Sequence, residues 1–391
     1  MFDIAYIRKP IDDAGQLDLG SILETILYYN AVHWIVDYDT TQKIVSKIGL
    51  KGFLELLQLE NLCVIFAEDY PGIRTNTNFG FQTHSPCIFR IQAHADGKKV
   101  KRREMIEEAI QKAAGAKLDS KQRKIIERHS TVQLMADLVK SRPNDSNSIL
   151  ELVSNPRVFK IIINHIRAVN RLRKPNIEIS KFEYHASLNQ GEIIVGSQPI
   201  DLLLPRTHDD TFGWGHVLAH AYEYLIDTQI AANMSIDLFG SEMTASIAAI
   251  HVNEGLGRAQ NAKQVRHRFE TYVFEDAGAF SEAFNSGHLT FSEAIKSIKK
   301  SRDMRDWLIN VPPSADLVTE YIYAVEQSLQ DKGLGKKTLK LALFAADGLE
   351  LLGSGFVGAA AGGLVETFAD RILNAGWRPT VFVNRIRNLA K

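Results

Sequence analysis

The side chains best placed to do chemistry lie between His216 and Asp227. His216, His220, Glu223 and Asp227 stand at spacings of 0, +4, +7 and +11. A helix turns about 100° per residue, so all four fall within a narrow arc of one face. Trp214, Leu218, Ala221 and Leu225 supply an opposing apolar face. Two imidazoles one turn apart can share a divalent transition metal, and carboxylates on the same face can complete its shell or move protons. The stretch is not the His-Glu-x-x-His helix of a zinc protease, because Val217 stands where the catalytic glutamate would be. His220-Ala-Tyr-Glu223 is echoed by His267-Arg-Phe-Glu270, both of the form His-x-x-Glu. Di-metal carboxylate bundles use the reverse order, Glu-x-x-His, on two helices. The candidate ligand set is therefore His216, His220, Glu223, Asp227, His267 and Glu270. The plainer alternative is a helix face on which histidine and carboxylate pair locally.

A second group could touch nucleic acid. Lys98, Lys99, Lys101, Arg102 and Arg103 open a basic stretch that reaches Arg128 and could grip a phosphate backbone. It lacks interleaved aromatics for base stacking, and intervening acidic residues suit a solvated helix pair.

The longest uncharged run, Leu351–Val365, carries Gly353, Gly355, Gly358, Gly362 and Gly363. Gly353-Ser-Gly355-Phe-Val-Gly358 has the spacing of a dinucleotide loop, but the residues before it recur at helical spacing. No carboxylate follows about 20 positions on. The run is too short for a constitutive transmembrane span. Gly355, Gly358, Ala359, Gly362 and Gly363 instead form a small-residue helix face on which another backbone can close. Such a helix needs cover, from this chain, from a second copy in a homo-oligomer, from a protein partner or from conditional membrane contact. Gly-x-Ser-x-Gly and Walker A sequences are both lacking.

Around these groups, apolar periodicity alternates between strand and helix near the N-terminus. Strands are expected at Phe2–Ile7, Val32–Asp37 and Leu62–Ala67, with helices at Leu19–Tyr29 and, capped by Thr40 or Thr41, on to about Leu57, and parallel pairing follows. Asp37 and Glu68-Asp69 end two of these strands, where open α/β sheets bind ligands and where acids also cap the next helix. Asp69–Thr83 reads as loop, with Pro71-Gly72 as its turn signal, and Pro86–Ala93 as a strand. Asn189-Gln190-Gly191 marks a hairpin within 177–197. Helices are expected at 150–172, 214–234, 241–252, 264–285, 290–309, 315–330 and 336–374.

The expected fold is α+β. A small α/β domain with a basic helical extension covers 1–140, a linker 141–149, and a mainly helical domain with an inserted hairpin 150–391. The 391 residues carry no net charge, 45% hydrophobic and 24% charged side chains. These are globular values, and they argue against a globally basic nucleic-acid binder. Two cysteines and an N-terminus without a basic-then-apolar signal pattern suggest a reducing, cytoplasmic setting. The expected function is an intracellular effector or interaction protein working through the glycine-rich helical region. A bacterial stress or antiphage setting is a guess that no residue carries. The alternatives are a metal-dependent hydrolase or nuclease on the His/Glu stripe, and a nucleic-acid binder.

Overall fold

The computed structural model describes residues 2–10, 16–67, 69–78, 81–90, 102–139, 146–173, 175, 177–205, 211–234, 236–252 and 280–310. The chain divides into two compact units. The larger holds Ile4–Ile22 and Ala31–Ala259, and the smaller holds Met1–Asp3, Leu23–Asn30 and Gln260–Lys391.

The larger unit is built on a parallel sheet. Its strands are β1 (Ile4–Arg8), β2 (Ala31–Val36), β3 (Leu62–Ala67), β6 (Ser130–Gln133) and β9 (Asp237–Phe239), in the order β6-β3-β2-β1-β9. Every neighbouring pair is parallel, with Tyr6 opposite His33 and Leu238, and His33 opposite Cys63. Parallel sheets are covered on both faces, and β1 and β3 are accordingly near-continuous apolar runs with few accessible side chains. Helix α1 (Leu19–Tyr28) links β1 to β2, and α2 (Tyr38–Leu57) links β2 to β3. Asp37 starts α2, its Oδ1 accepting the Thr40 amide at 2.7 Å. Asp69 accepts the Met135 amide, at the start of the short helix α5 (Met135–Leu138). Asp37 is therefore the N-cap of α2, Asp69 is the first residue of a strand and accepts one amide at a distant helix start, and Glu68 lies outside the described residues.

A four-stranded antiparallel sheet stands beside the parallel one, in the order β4 (Asp69–Asn78), β5 (Phe81–Arg90), β8 (Glu192–Ser197), β7 (Tyr184–Asn189). Here the structure corrects the loop expected over Asp69–Thr83, because Pro71 and Gly72 sit inside a ten-residue strand. Strand β4 is a sheet edge, where a proline without its N–H removes no ladder bond. Gly72 faces the Phe89 ring, whose nearest carbon would lie 2.8 Å from a β-carbon there, so glycine allows close approach and marks no turn. The expected hairpin is present, with Gln190 and Gly191 both at positive φ between β7 and β8.

The basic stretch includes two helices, α3 (Arg102–Ala114) and α4 (Ser120–His129), the second opened by an Asp119–Gln122 capping box. Arg123 pairs with Glu107 at 3.2 Å, as a solvated helix pair would. The helix expected over 150–172 is two, α6 (Ser146–Ser154) and α7 (Pro156–Val169), broken where Asn155 caps the second and Pro156 occupies its first turn. The expected linker, 141–149, falls within the span of the larger unit. The core gathers Ile149, Leu152 and Val153 of α6, Val158, Phe159, Ile162, Ile163 and Ile166 of α7, and both sides of α8 (Trp214–Met234). Strand β9 follows α8, and α9 (Glu242–Val252) follows β9.

In the smaller unit, Phe2 packs its ring edge-on to Tyr29, and Asn30 donates its amide to the Phe2 carbonyl. Helices α10 (Phe280–Asn285), α11 (Phe291–Lys299) and α12 (Arg302–Asn310) complete its described part. Buried Arg305 donates to Ser301 Oγ and to the Ile298 carbonyl, tying α12 to the end of α11. Among the described residues, no helix is long and apolar enough to cross a membrane.

Candidate functional site

Strands β2, β3 and β6 extend the parallel sheet on one side of β1, and β9 alone extends it on the other. The direction of strand addition reverses between β1 and β9. In open α/β sheets the crevice beyond the carboxyl ends of strands at such a switch point is the usual ligand site. A cleft of about 240 Å³ lies there, lined by Arg8 at the end of β1, by Lys9 and Leu17 beyond it, and by Asp37, Asp39, Thr40 and Lys43 at the start of α2. His165 and Val169 of α7, His220, Glu223 and Asp227 of α8, and Ser241, Met243 and Thr244 near the start of α9 complete its wall.

Helix α8 is fixed before its charges are considered. Phe159, Phe182, Tyr184 and Trp214 form an aromatic cluster, with Phe159 and Tyr184 centroids 4.5 Å apart. Trp214 Nε1 donates to Ser197 Oγ at 2.8 Å. Val217, Leu218, Ala221, Ile226 and Ile230 are fully buried. The polar stripe therefore runs from solvent into the core. His216 is exposed, His220 and Glu223 have side chains 28% and 18% accessible, and Asp227 only 6%.

Burial of two carboxylates is offset by two cations from the end of β1. Arg8 Nη1 donates to Asp227 Oδ1 at 2.7 Å and Nη2 to Glu223 Oε1 at 3.3 Å. Lys9 Nζ donates to the same Glu223 oxygen at 2.8 Å and lies 3.9 Å from Asp37 Oδ2. Tyr6 Oη donates to Asp227 at 3.2 Å. Lys9 occupies the left-handed region, at φ 44°, directly before Pro10. A non-glycine residue there is strained, and its two carboxylate neighbours help hold it.

These contacts set the protonation states. Burial disfavours the Glu223 carboxylate, but Lys9, His220 and Arg8 outweigh it and hold its pKa well below the ordinary value. Burial raises the Asp227 pKa, with Arg8 acting in the opposite direction. Glu223 raises the Lys9 pKa against the effect of burial. Burial also lifts the Tyr6 phenol well above its usual range, with Asp227 adding to the rise. Glu223 is thus a fixed anion. Its Oε2 lies 3.5 Å from His220 Nδ1, a ring nitrogen with no hydrogen-bond partner among the described residues. The His165 ring meets His220 edge-on, centroids 5.2 Å apart.

Of the ligand set anticipated from spacing, the structure brings His220, Glu223 and Asp227 to one cleft. His216 turns away and accepts the Gly213 amide at 3.1 Å. His267 and Glu270 lie outside the described residues, as do Lys98, Lys99 and Lys101 and the glycine-rich face with Gly355, Gly358, Ala359, Gly362 and Gly363. Among the described residues, no three His, Cys, Asp or Glu side chains group as metal ligands. Arg8 and Lys9 supply the positive charge that a metal would bring. Sequence reasoning missed Arg8, Lys9 and His165. The signal available was Arg8-Lys9 directly following an apolar strand. Cys63 and Cys87 are free thiols, the first raised in pKa by burial. No family model, curated protein or solved structure matches the chain.

Proposed function

We propose that the chain binds a small polar ligand in the cleft at the carboxyl edge of its parallel sheet and acts on it by general acid–base chemistry at His220. One observation carries the reading: Glu223, fixed as an anion by Lys9 and Arg8, stands beside His220 where the cleft is open. A base oriented by a fixed carboxylate is the working half of a nucleophile–base–acid arrangement. With Nδ1 turned to Glu223, Nε2 is the basic nitrogen. It takes a proton from water or a ligand hydroxyl as that oxygen attacks, and the imidazolium returns the proton to the leaving group. Metal-assisted hydrolysis has less support, because Glu223 and Asp227 are already neutralised by protein cations.

The test is a thermal-shift screen of small polar metabolites, followed by NMR detection of turnover for each binder. A ligand at about 100 times its Kd stabilises the fold by about 2.7 kcal/mol, an easily read shift. The expected result is at least one binder that is turned over, with turnover abolished and binding kept in His220→Asn. A screen without binders, or turnover unchanged in His220→Asn, overturns the proposal.

A further inference from the structure

Several cleft groups have bonding capacity that the fold does not use. Asp37 spends Oδ1 on the Thr40 amide, while Oδ2 has only Lys9, 3.9 Å away and beyond hydrogen-bond reach. Lys43 and Asp39 line the cleft one turn apart on α2, and neither forms an ion pair among the described residues. Lys9 has three donors and one hydrogen-bond acceptor, Glu223. Arg8, by contrast, is engaged by Asp227 and Glu223 and is not available to a ligand.

The spare groups are arranged by chemistry. A carboxylate oxygen at the carboxyl end of the second strand, where Asp37 follows β2, is where doubly wound sheets receive sugar hydroxyls on a fixed acceptor. Spare ammonium donors from the end of the first strand and the first turns of the next helix suit a compact anion. The hydroxyls of Ser241 and Thr244 also line the cleft, but they are buried and bonded to each other at 3.2 Å, and Ser241 Oγ accepts the Thr244 amide as well. A volume of about 240 Å³ suits a monosaccharide phosphate better than a dinucleotide.

We infer that the ligand is a phosphorylated pentose or a molecule presenting one, with its sugar hydroxyls on Asp37 and its phosphate on Lys43 and Lys9. This rests on the cleft being the ligand site, as proposed above, and goes further by naming the ligand class.

Isothermal titration of the full chain with ribose 5-phosphate, 2-deoxyribose 5-phosphate, ribose and inorganic phosphate tests it. Ribose 5-phosphate is expected to bind most tightly. Lys43→Ala should weaken it roughly tenfold and leave ribose unaffected. Asp37→Asn, which keeps a good helix cap, should weaken ribose 5-phosphate roughly tenfold and the deoxy sugar much less. Phosphate binding as tightly as ribose 5-phosphate, or none of the four binding, overturns the ligand class. If the metabolite screen still finds binders, the cleft reading survives that failure. If the screen too is empty, both fall.

Discussion

Lys9 Nζ and Glu223 Oε1 are 2.8 Å apart, although 214 residues separate them in the chain. This contact fastens the end of β1 to the middle of α8, holds Glu223 ionised and keeps Lys9 in a left-handed backbone conformation. Replacing Lys9 by Met therefore acts at both ends of the pH scale. The folded-state pKa of Glu223 lies below its ordinary 4.5, so its contribution to stability is complete above about that pH and is lost as pH falls through the folded value. Lys9→Met removes the largest cause of that depression, so the variant should be less stable at neutral pH and lose less stability on acidification. The folded-state pKa of Lys9 lies above 10.5, so its own contribution is complete below that value and lost as pH rises through the folded one. The variant should lack this alkaline loss. Urea midpoints from pH 3 to 11 check both arms, and parallel profiles for the two proteins would count against the coupling.

Arg8 is the costlier residue to remove. Its side chain is 4% accessible and serves two carboxylates, so Arg8→Met leaves Asp227 buried without its cation. Loss of one member of a buried pair costs about 3–5 kcal/mol. Equilibrium urea unfolding should show a loss of that size, and Arg8→Met with Asp227→Leu should recover part of it. A double variant as unstable as the single would mean that the Arg8 stem, rather than its charge, is what matters.

Ile162 lies on the buried face of α7, between Phe159 and Ile166, and is wholly inaccessible. Ile162→Ala should cost about 2–5 kcal/mol, the sum of lost transfer energy and a residual cavity. A melting curve unchanged within error would show that α7 does not belong to the core as described.

Gly72 is required by the Phe89 ring, which also stacks on Tyr70 with centroids 5.5 Å apart. Gly72→Ala pushes the ring from its place and should destabilise by about 1–3 kcal/mol, as overpacking does. Pairing Gly72→Ala with Phe89→Leu should remove most of the added penalty. Strictly additive losses in this cycle would locate the strain elsewhere.

Much of the architecture was written locally and could be read from the chain. A mostly apolar run named β2, an apolar run of six residues named β3, and apolar recurrence at helical spacing named α1, α2 and α8, because both signals repeat within a few residues. Gly191 in a hairpin turn was equally local, whereas α2 starts earlier than a Thr40 or Thr41 cap would place it, because Asp37 accepts the Thr40 amide itself. The spacing of His220, Glu223 and Asp227 placed them on one face, and that held. Strand β9 escaped notice because three residues carry no period. The break between α6 and α7 was missed because both sides of Asn155-Pro156 share an apolar phase.

The residues themselves dictated that a polar stripe would enter α8 and that an apolar strand would end in two cations. Only the tertiary fold could bring the two together. The meeting depends on β9 pairing parallel to β1, which seats α8 with Glu223 and Asp227, and not the helix end, beside Arg8 and Lys9 at the carboxyl end of β1, and on burial that turns four exposed charges into an obligatory network. Spacing along a chain records which face a residue shares. It holds no record of the distant charge that will neutralise it, because Coulomb energy depends on separation in space and on the loss of water, and both arise only on folding.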